Sequence, residues 1–345
     1  MLSRVAHSLY WMLRYIERAD SLSRLIDVNR QLLLDHERID SARLSAFWKP
    51  IILSTGEEDL FHELYPEDGS TAVVSFLTGD RRNPNSIVSC IAQARENARM
   101  VRDQLSEELW EELNSLYLFL NSNEGDSLLA SDPPRYYEAI RRATYTFHGI
   151  ASASTARSEA WEFMDLGRHL ERADKTTRFL DITSFLSKEE DATGEGHSLH
   201  WLAILRSCGA LGAFRAVHSG ELSGEKVADF LLFSRDFPRA VRFCVDRIDR
   251  SLHRISGSPR GTCSNEAERL AGRLLSELSY GSIAEVTKKG LHEHLDSLQG
   301  EFNDIGAAAF RAYVLLPDQI EERPPIPAAS VSAVVAWQMA QQQQQ

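Results

Sequence analysis

Between residues 3 and 36, Val5, Leu9, Met12, Leu13, Ile16, Ala19, Leu22 and Ile26 recur with the 3.6-residue period of an α-helix, and no proline interrupts the run. One long helix is predicted there. The same reading predicts a second helix over 41–55, kinked or broken at Pro50, with Gly56 suited to the left-handed residue beyond its end. A short segment follows at 71–77. Asn83-Pro84 reads as the N-cap and first-turn proline of a helix to about 105, and Ser106 with Glu107 and Glu108 as the start of another to about 118. Residues 121–132, rich in Ser, Asn, Asp and Gly, read as a loop, after which Pro133-Pro134 starts a helix to about 150. A long helix is then predicted over 155–186, a polar loop over 187–198, and helices near 199–208, 225–233, 238–256, 265–280 and 282–314. No segment alternates apolar and polar residues long enough to predict a strand, so the fold class is all-α.

The pattern repeats. Residues 14–28 and 168–182 agree at seven of fifteen positions, and four others exchange one large apolar residue for another. Trp48 and Gly56 return as Trp201 and Gly209, while Phe76-Leu77, Pro84 and Cys90 return as Phe230-Leu231, Pro238 and Cys244. The chain therefore reads as a tandem duplication of a unit about 150 residues long, with halves at 1–154 and 155–315. No Gly/Pro/Ser-rich linker separates them, so one helical bundle arranged about a pseudo-two-fold axis is expected rather than two separate domains. Residues 316–345 stand apart as a Pro-containing arm and a tail ending in Gln341–Gln345.

The formal net charge of −12 over 345 residues disfavours nucleic acid and anionic membrane surfaces as partners, since both require a basic face. A local basic pocket remains compatible with it. The four cysteines form no C-x-x-C pair or zinc spacing, and Cys90 and Cys244 sit in apolar runs, where buried free thiols are expected. Met1-Leu2-Ser3-Arg4 leads straight into a helical pattern, and no run of about 18 apolar residues occurs. A cytoplasmic location is expected.

Candidate chemistry concentrates on the two long helices. Arg14, Glu17 and Arg18 lie within one turn of each other, off the apolar stripe, and so do Arg168, Glu171 and Arg172. One reading is a solvated face with intrahelical ion pairs worth about 0.2–0.5 kcal/mol each. The other brings the two helices together, so that Glu17 and Glu171 each face arginines of the other half and fix the packing register. The matched Arg, Glu, Arg, Asp and Arg, kept while Ser21 and Lys175 differ, favour the second. A further basic run holds Arg95, Asn97, Arg99 and Arg102, with the arginines along one helical side, and the corresponding stretch at 248–253 lacks it. Guanidinium forks suit carboxylate or phosphate, so this run is either an anion site confined to one half or a surface ion-pair lattice.

Catalytic templates are missing: there is no G-x-S-x-G elbow, Walker loop or G-x-G-x-x-G. His197-x-x-His200 and His292-Glu293-His294 lack the paired Glu-x-x-His spacing of a dimetal bundle, and no metal is expected. His148-Gly149 and Thr155-Ala156-Arg157 precede the second long helix, where a groove between the halves would lie.

Leu9-Tyr10-Trp11, Arg14-Tyr15-Ile16-Glu17-Arg18-Ala19, Ala94-Arg95-Glu96-Asn97-Ala98-Arg99, Trp110-Glu111 and Leu166-Gly167-Arg168-His169-Leu170-Glu171-Arg172-Ala173 together resemble the bacterial alpha-E family, an all-helical domain named for its Glu-Arg motif. The resemblance spans roughly residues 1–315. It implies a genomic setting: such domains occur beside, or fused to, circularly permuted ATP-grasp proteins, often with a transglutaminase-like peptidase. The partner would bring ATP and magnesium, and this chain shows no cofactor motif of its own. Three functions are then open. The first is a non-catalytic helical partner of an amide ligase, holding the ligase or a carboxylate or peptide substrate through Arg14, Arg18, Arg168, Arg172, Arg95, Asn97 and Arg99. The second is an acyl-transfer enzyme with Glu17 or Glu171 as general base, although flanking arginines weaken a carboxylate as a base. The third is a structural, oligomerising bundle.

Overall fold

The computed structural model describes residues 1–35, 41–66, 69–185, 195–220 and 222–315, without the side chains of 34–35, 41–47 and 195–198. Ser3–Asp35 winds into a single helix of 33 residues, α1. It is followed by α2 (Ser41–Thr55), α3 (Glu58–Leu64), α4 (Ser70–Thr78), α5 (Ile87–Met100), α6 (Glu107–Leu120), α7 (Asn123–Ser131) and α8 (Pro133–Ser154). The second half contains α9 (Glu159–Asp181), α10 (Glu195–Ser207), α11 (Leu211–Val217), α12 (Gly224–Phe233), α13 (Val241–Ser256), α14 (Glu266–Tyr280), α15 (Ile283–Lys289) and α16 (Leu291–Tyr313). Short 3-10 turns occur at Arg102–Gln104 and Ile182–Phe185. The fold is all-α, and no strand occurs among the described residues.

Several local expectations are corrected by capping chemistry. Asn83 is not an N-cap. It is fully buried, donates from Nδ2 to the Phe76 carbonyl at 3.0 Å and accepts the Asn85 amide at 2.9 Å, so it ties a turn together. Ser86 caps α5 instead, through the Ser89 amide. The predicted loop at 121–132 contains α7, because the Ser122 hydroxyl accepts the Gly125 amide and Leu128 and Leu129 pack on the core. The predicted helix over 282–314 is broken at Gly290, whose φ of +104° belongs to a turn. The second long helix starts at Glu159 rather than near 155. The helix at 41–55 runs through Pro50 without a break, and Gly56 adopts φ +75° just beyond it. The arm and tail beyond 315 and most of the predicted loop at 187–198 lie outside the described residues.

Two helices form the centre. α1 and α9 lie side by side, and Met1 meets Glu159, Tyr10 meets Gly167 and Arg14 meets Glu171, so the helices run in the same direction. Gly167 permits this closeness. A Cβ there would stand 2.2 Å from the Tyr10 carbonyl oxygen, closer than any side chain can approach. Around this pair, α5, α8 and α10 pack on α1, while α13 and α16 pack on α9. α6 lies against α5 and α8, and α14 against α13 and α16. α2, from the first half, also reaches α9, so each half contributes a helix to the other's central element.

Candidate functional site

The polar sides of α1 and α9 face each other, and burial rather than solvent surrounds them. Glu17 and Glu171 are both 0% exposed. Glu171 accepts Arg14 Nε at 2.7 Å, Arg18 Nε at 2.7 Å and Arg18 Nη2 at 3.1 Å. In return Glu17 accepts Arg172 Nε at 2.8 Å and Arg168 Nε at 3.3 Å, with Arg172 Nη2 2.7 Å away. Each glutamate is thus held by the arginines of the opposite helix. The solvated-face reading fails here.

The exchange continues along the seam. Arg24 pairs with Asp20 on its own helix, and Arg178 with Asp174. Each of these arginines then lies against a glycine of the other half: Arg24 Nη1 is 3.4 Å from where a Cβ would sit on Gly209, and Arg178 Nη1 is 3.6 Å from that place on Gly56. Both glycines have positive φ. Arg178 also donates to the Ser54 carbonyl at 3.3 Å.

Charge balance sets the protonation states. Burial opposes ionisation of Glu171, but Arg18, Arg14 and Lys175 outweigh it and hold the carboxyl well below its usual range. Glu17 is held down in the same way, with burial opposed first by Arg172. Burial also lowers Lys175, against the pull of Asp174 and Glu171. Arg168 differs from its counterparts. Burial and the neighbouring Arg172 pull it down to about 10, against the pull of Glu17 and Asp165. The carboxylate it shares with Arg172 is also approached by Arg239 Nη1 at 3.5 Å.

Residues of α8 and of the turns before α3, α5 and α13 complete the seam. Asn85 bridges Arg18 and Glu57. Arg239 donates to Asp20 at 2.6 Å, as Thr144 does at 3.0 Å. His148 Nε2 stands 2.8 Å from Glu17 Oε1. Burial, helped by Arg168, pushes this imidazole down to about 4, so it is neutral at pH 7.

Arg95, Asn97 and Arg99 do not join this seam. Arg95 donates to Asn114 at 2.8 Å and lies 4.6 Å over the Tyr117 ring, Arg99 pairs with Glu96 at 2.8 Å, and Asn97 donates back to the Gln93 carbonyl. They form a lattice on the α5–α6 surface. Cys90, Cys208 and Cys244 are buried, and burial pushes their thiols up to about 12, which makes them inert packing groups. No group of three metal-ligating side chains assembles among the described residues, and no described helix is long and apolar enough to cross a membrane.

Beside Arg168 and Arg172 a cleft of about 850 Å³ opens between the first half of α9 and α13, bordered by Ser152 at the end of α8. Its charged pairs run across the helices. Arg247 donates to Asp165 at 2.9 Å and Arg254 to Glu162 at 3.0 Å. None of Arg239, Glu162, Asp165, Arg247 or Arg254 stands out by motif or spacing in the sequence.

Fold and seam together define an all-helical domain locked by reciprocal Glu–Arg pairs. The chain belongs to the alpha-E family, described as a predicted alpha-helical domain with a conserved ER motif, which matches residues 1–314. It is similar to uncharacterised proteins of Mycobacterium bovis, at 26% identity over 316 residues, and of two strains of Mycobacterium tuberculosis, at 26% and 25%. Each alignment covers 86% of this chain but only 34% of the relative, so the chain spans about a third of the length of the curated relatives it matches. No solved structure matches it.

Proposed function

We propose that this chain is a non-catalytic helical subunit of an ATP-grasp-dependent system that forms amide or peptide bonds. In that system it positions an anionic substrate, or the ligase itself, through its arginines. The observation that carries the reading is the state of the seam: Glu17 and Glu171 are sealed from solvent and held ionised, while cations outnumber the carboxylates around them. A general base must reach its substrate and hold a pKa near the working pH, and these two do neither. The enzyme reading built on Glu17 or Glu171 therefore ranks lower. An incompletely neutralised guanidinium beside a cleft suits a carboxylate or an acyl phosphate.

The ATP-grasp setting comes from the family resemblance. That the curated relatives carry the matched region within a much longer chain is in keeping with fusion to a partner. The reciprocal pairing of Glu17 and Glu171 supports the view that two related halves make one domain, with the lock fixing their register.

The test is co-purification with the neighbouring ATP-grasp protein, followed by ATP-consumption assays over amino acids and peptides with and without this chain. Stimulated, substrate-selective turnover is expected. Ligase turnover that is unchanged by this chain removes the reading.

A further inference from the structure

The two long helices treat matched arginines differently. Arg14 is 11% exposed, donates to Glu171 at 2.7 Å and to the Tyr10 hydroxyl at 2.9 Å, and lies 5.3 Å over the Trp11 ring. Arg168 stands 154 residues later, is 22% exposed, and makes one hydrogen bond to Glu17 at 3.3 Å among the described residues. Where the first half has Trp11, the second has Asp165, and where it has Gln93 and Met100, the second has Arg247 and Arg254. Aromatic cover over one arginine is thus replaced by a charged cleft over the other.

The cleft has a direction. Its middle is neutralised by the Asp165–Arg247 and Glu162–Arg254 pairs. Its ends are not. At the inner end Arg168 and Arg172 share Glu17 with Arg239. At the outer end Arg157 pairs with no carboxylate among the described residues: it donates to the carbonyls of Thr155 and Ser152 and lies 3.7 Å over the Trp161 ring, which fixes the guanidinium in place. Glu159 nearby is engaged by the Met1 ammonium at 2.8 Å. The indole Nε1 of Trp161, in the same wall, is buried and has no acceptor. The Arg157 guanidinium lies over Trp161, which precedes Arg168 by seven positions on α9, roughly 10 Å along the helix. No compact oxyanion reaches both.

We infer that this cleft seats an extended acidic peptide with anionic groups about three residues apart, one on Arg168 and another on Arg157. The cleft volume is within the range of pockets that enclose ligands of that size. The inference rests on the anion-binding part of the proposed function and is independent of the ATP-grasp partner.

Calorimetric titration of the full 345-residue chain tests it, using pentaglutamate, its C-terminal amide, pentaglycine and inorganic phosphate as probes. Pentaglutamate is expected to bind, pentaglycine and phosphate not to compete with it at equal concentration, and the amide to bind more weakly. Arg168→Gln and Arg157→Gln should each weaken pentaglutamate at least about tenfold, the usual effect of removing a charge-assisted hydrogen bond. Arg269→Gln, which removes an exposed pair with Glu266 on α14, should leave it unchanged. Arg157 is exposed, so its variant keeps the fold even if the Arg168 variant does not. No binding of pentaglutamate, full binding by the Arg157 variant, or displacement by equimolar phosphate overturns the proposal. Peptide binding without any effect on ligase turnover would remove the partner reading and leave the cleft standing; the reverse result would do the opposite.

Discussion

Replacing Glu171 by glutamine keeps the shape of the seam and removes one charge, which makes it the sharpest test of the lock. In the parent protein the carboxylate is 0% exposed, takes two hydrogen bonds of 2.7 Å and one of 3.1 Å from Arg14 and Arg18, and has Lys175 at 3.6 Å. The variant leaves three buried cations facing a neutral amide. Removing one partner of a buried pair costs about 3–5 kcal/mol, because the stranded charge cannot be rehydrated. The glutamine carbonyl can still accept one hydrogen bond, worth about 1–1.5 kcal/mol, so a net loss of about 3 kcal/mol is expected. Against a typical stability of about 5–15 kcal/mol, that loss is large but leaves a folded protein to measure.

Urea unfolding followed by circular dichroism gives the number, with an unchanged m-value showing that the same surface is exposed in both proteins. A companion variant, Glu171→Met with Arg14→Met and Arg18→Met, removes the carboxylate with both arginines, leaves Lys175 paired with Asp174, and should recover most of the loss, since apolar replacement of a buried ion cluster is often neutral. A Glu171→Gln midpoint within about 1 kcal/mol of the parent would refute the reasoning. It would mean that the seam is wet enough to screen its charges.

Glu17→Gln should destabilise by a similar amount, about 3 kcal/mol, because Arg172 and Arg168 depend on it; the same urea titration decides. Arg18→Lys should cost about 1.5–3 kcal/mol and reduce ligase-dependent product, since a single ammonium cannot replace the paired Nε and Nη2 bonds to Glu171; equal product from variant and parent would count against the arginine reading. Gly167→Ala should force α1 and α9 apart and lower stability by about 1–3 kcal/mol, seen as a lower thermal midpoint. Acid should act in two stages. Histidines 148 and 169 have folded-state values below the usual 6.5, so the unfolded state takes up protons first and stability falls as pH drops below about 6.5. Glu17, Glu171 and Asp174 are depressed carboxylates whose stabilisation is present above their unfolded values near 4.5 and 3.8 and is lost as pH falls towards about 2. Thermal midpoints measured from pH 7 to pH 2 should fall in both ranges.

The central helices were legible because both are long, uninterrupted and apolar on one side, and because a Glu-Arg pair recurs in register. Shorter pieces were not. α3 and α11 have seven residues each, too few for a helical period to show, and α7 is composed of residues that favour loops until Ser122 and the packing of Leu128 and Leu129 decide otherwise. At the site, sequence matching found both glutamates and their four arginines but not Arg239, which occupies the place matched by Asn85 in the first half. A matched pattern points to what the halves share, whereas Arg239 and the cleft lie where they differ.

That difference carries the functional argument. A seam in which both helices offered the same covered arginine would be a lock and nothing more: Arg14 under Tyr10 and Trp11 shows that state, satisfied by Glu171 and shielded by aromatic rings. With buried Asp165 in place of the tryptophan, Arg168 is more exposed than Arg14, and Arg247 from α13 answers the new carboxylate. The seam arginine is left under-neutralised at the wall of a cleft, still anchored from behind by a buried glutamate. Such a group is held in place by the fold and free in charge, which is the preorganisation that anion recognition requires. The lock and the cleft therefore share Glu17, and a variant that loosens it should weaken stability and ligand affinity together, whereas Arg157→Gln should weaken affinity alone.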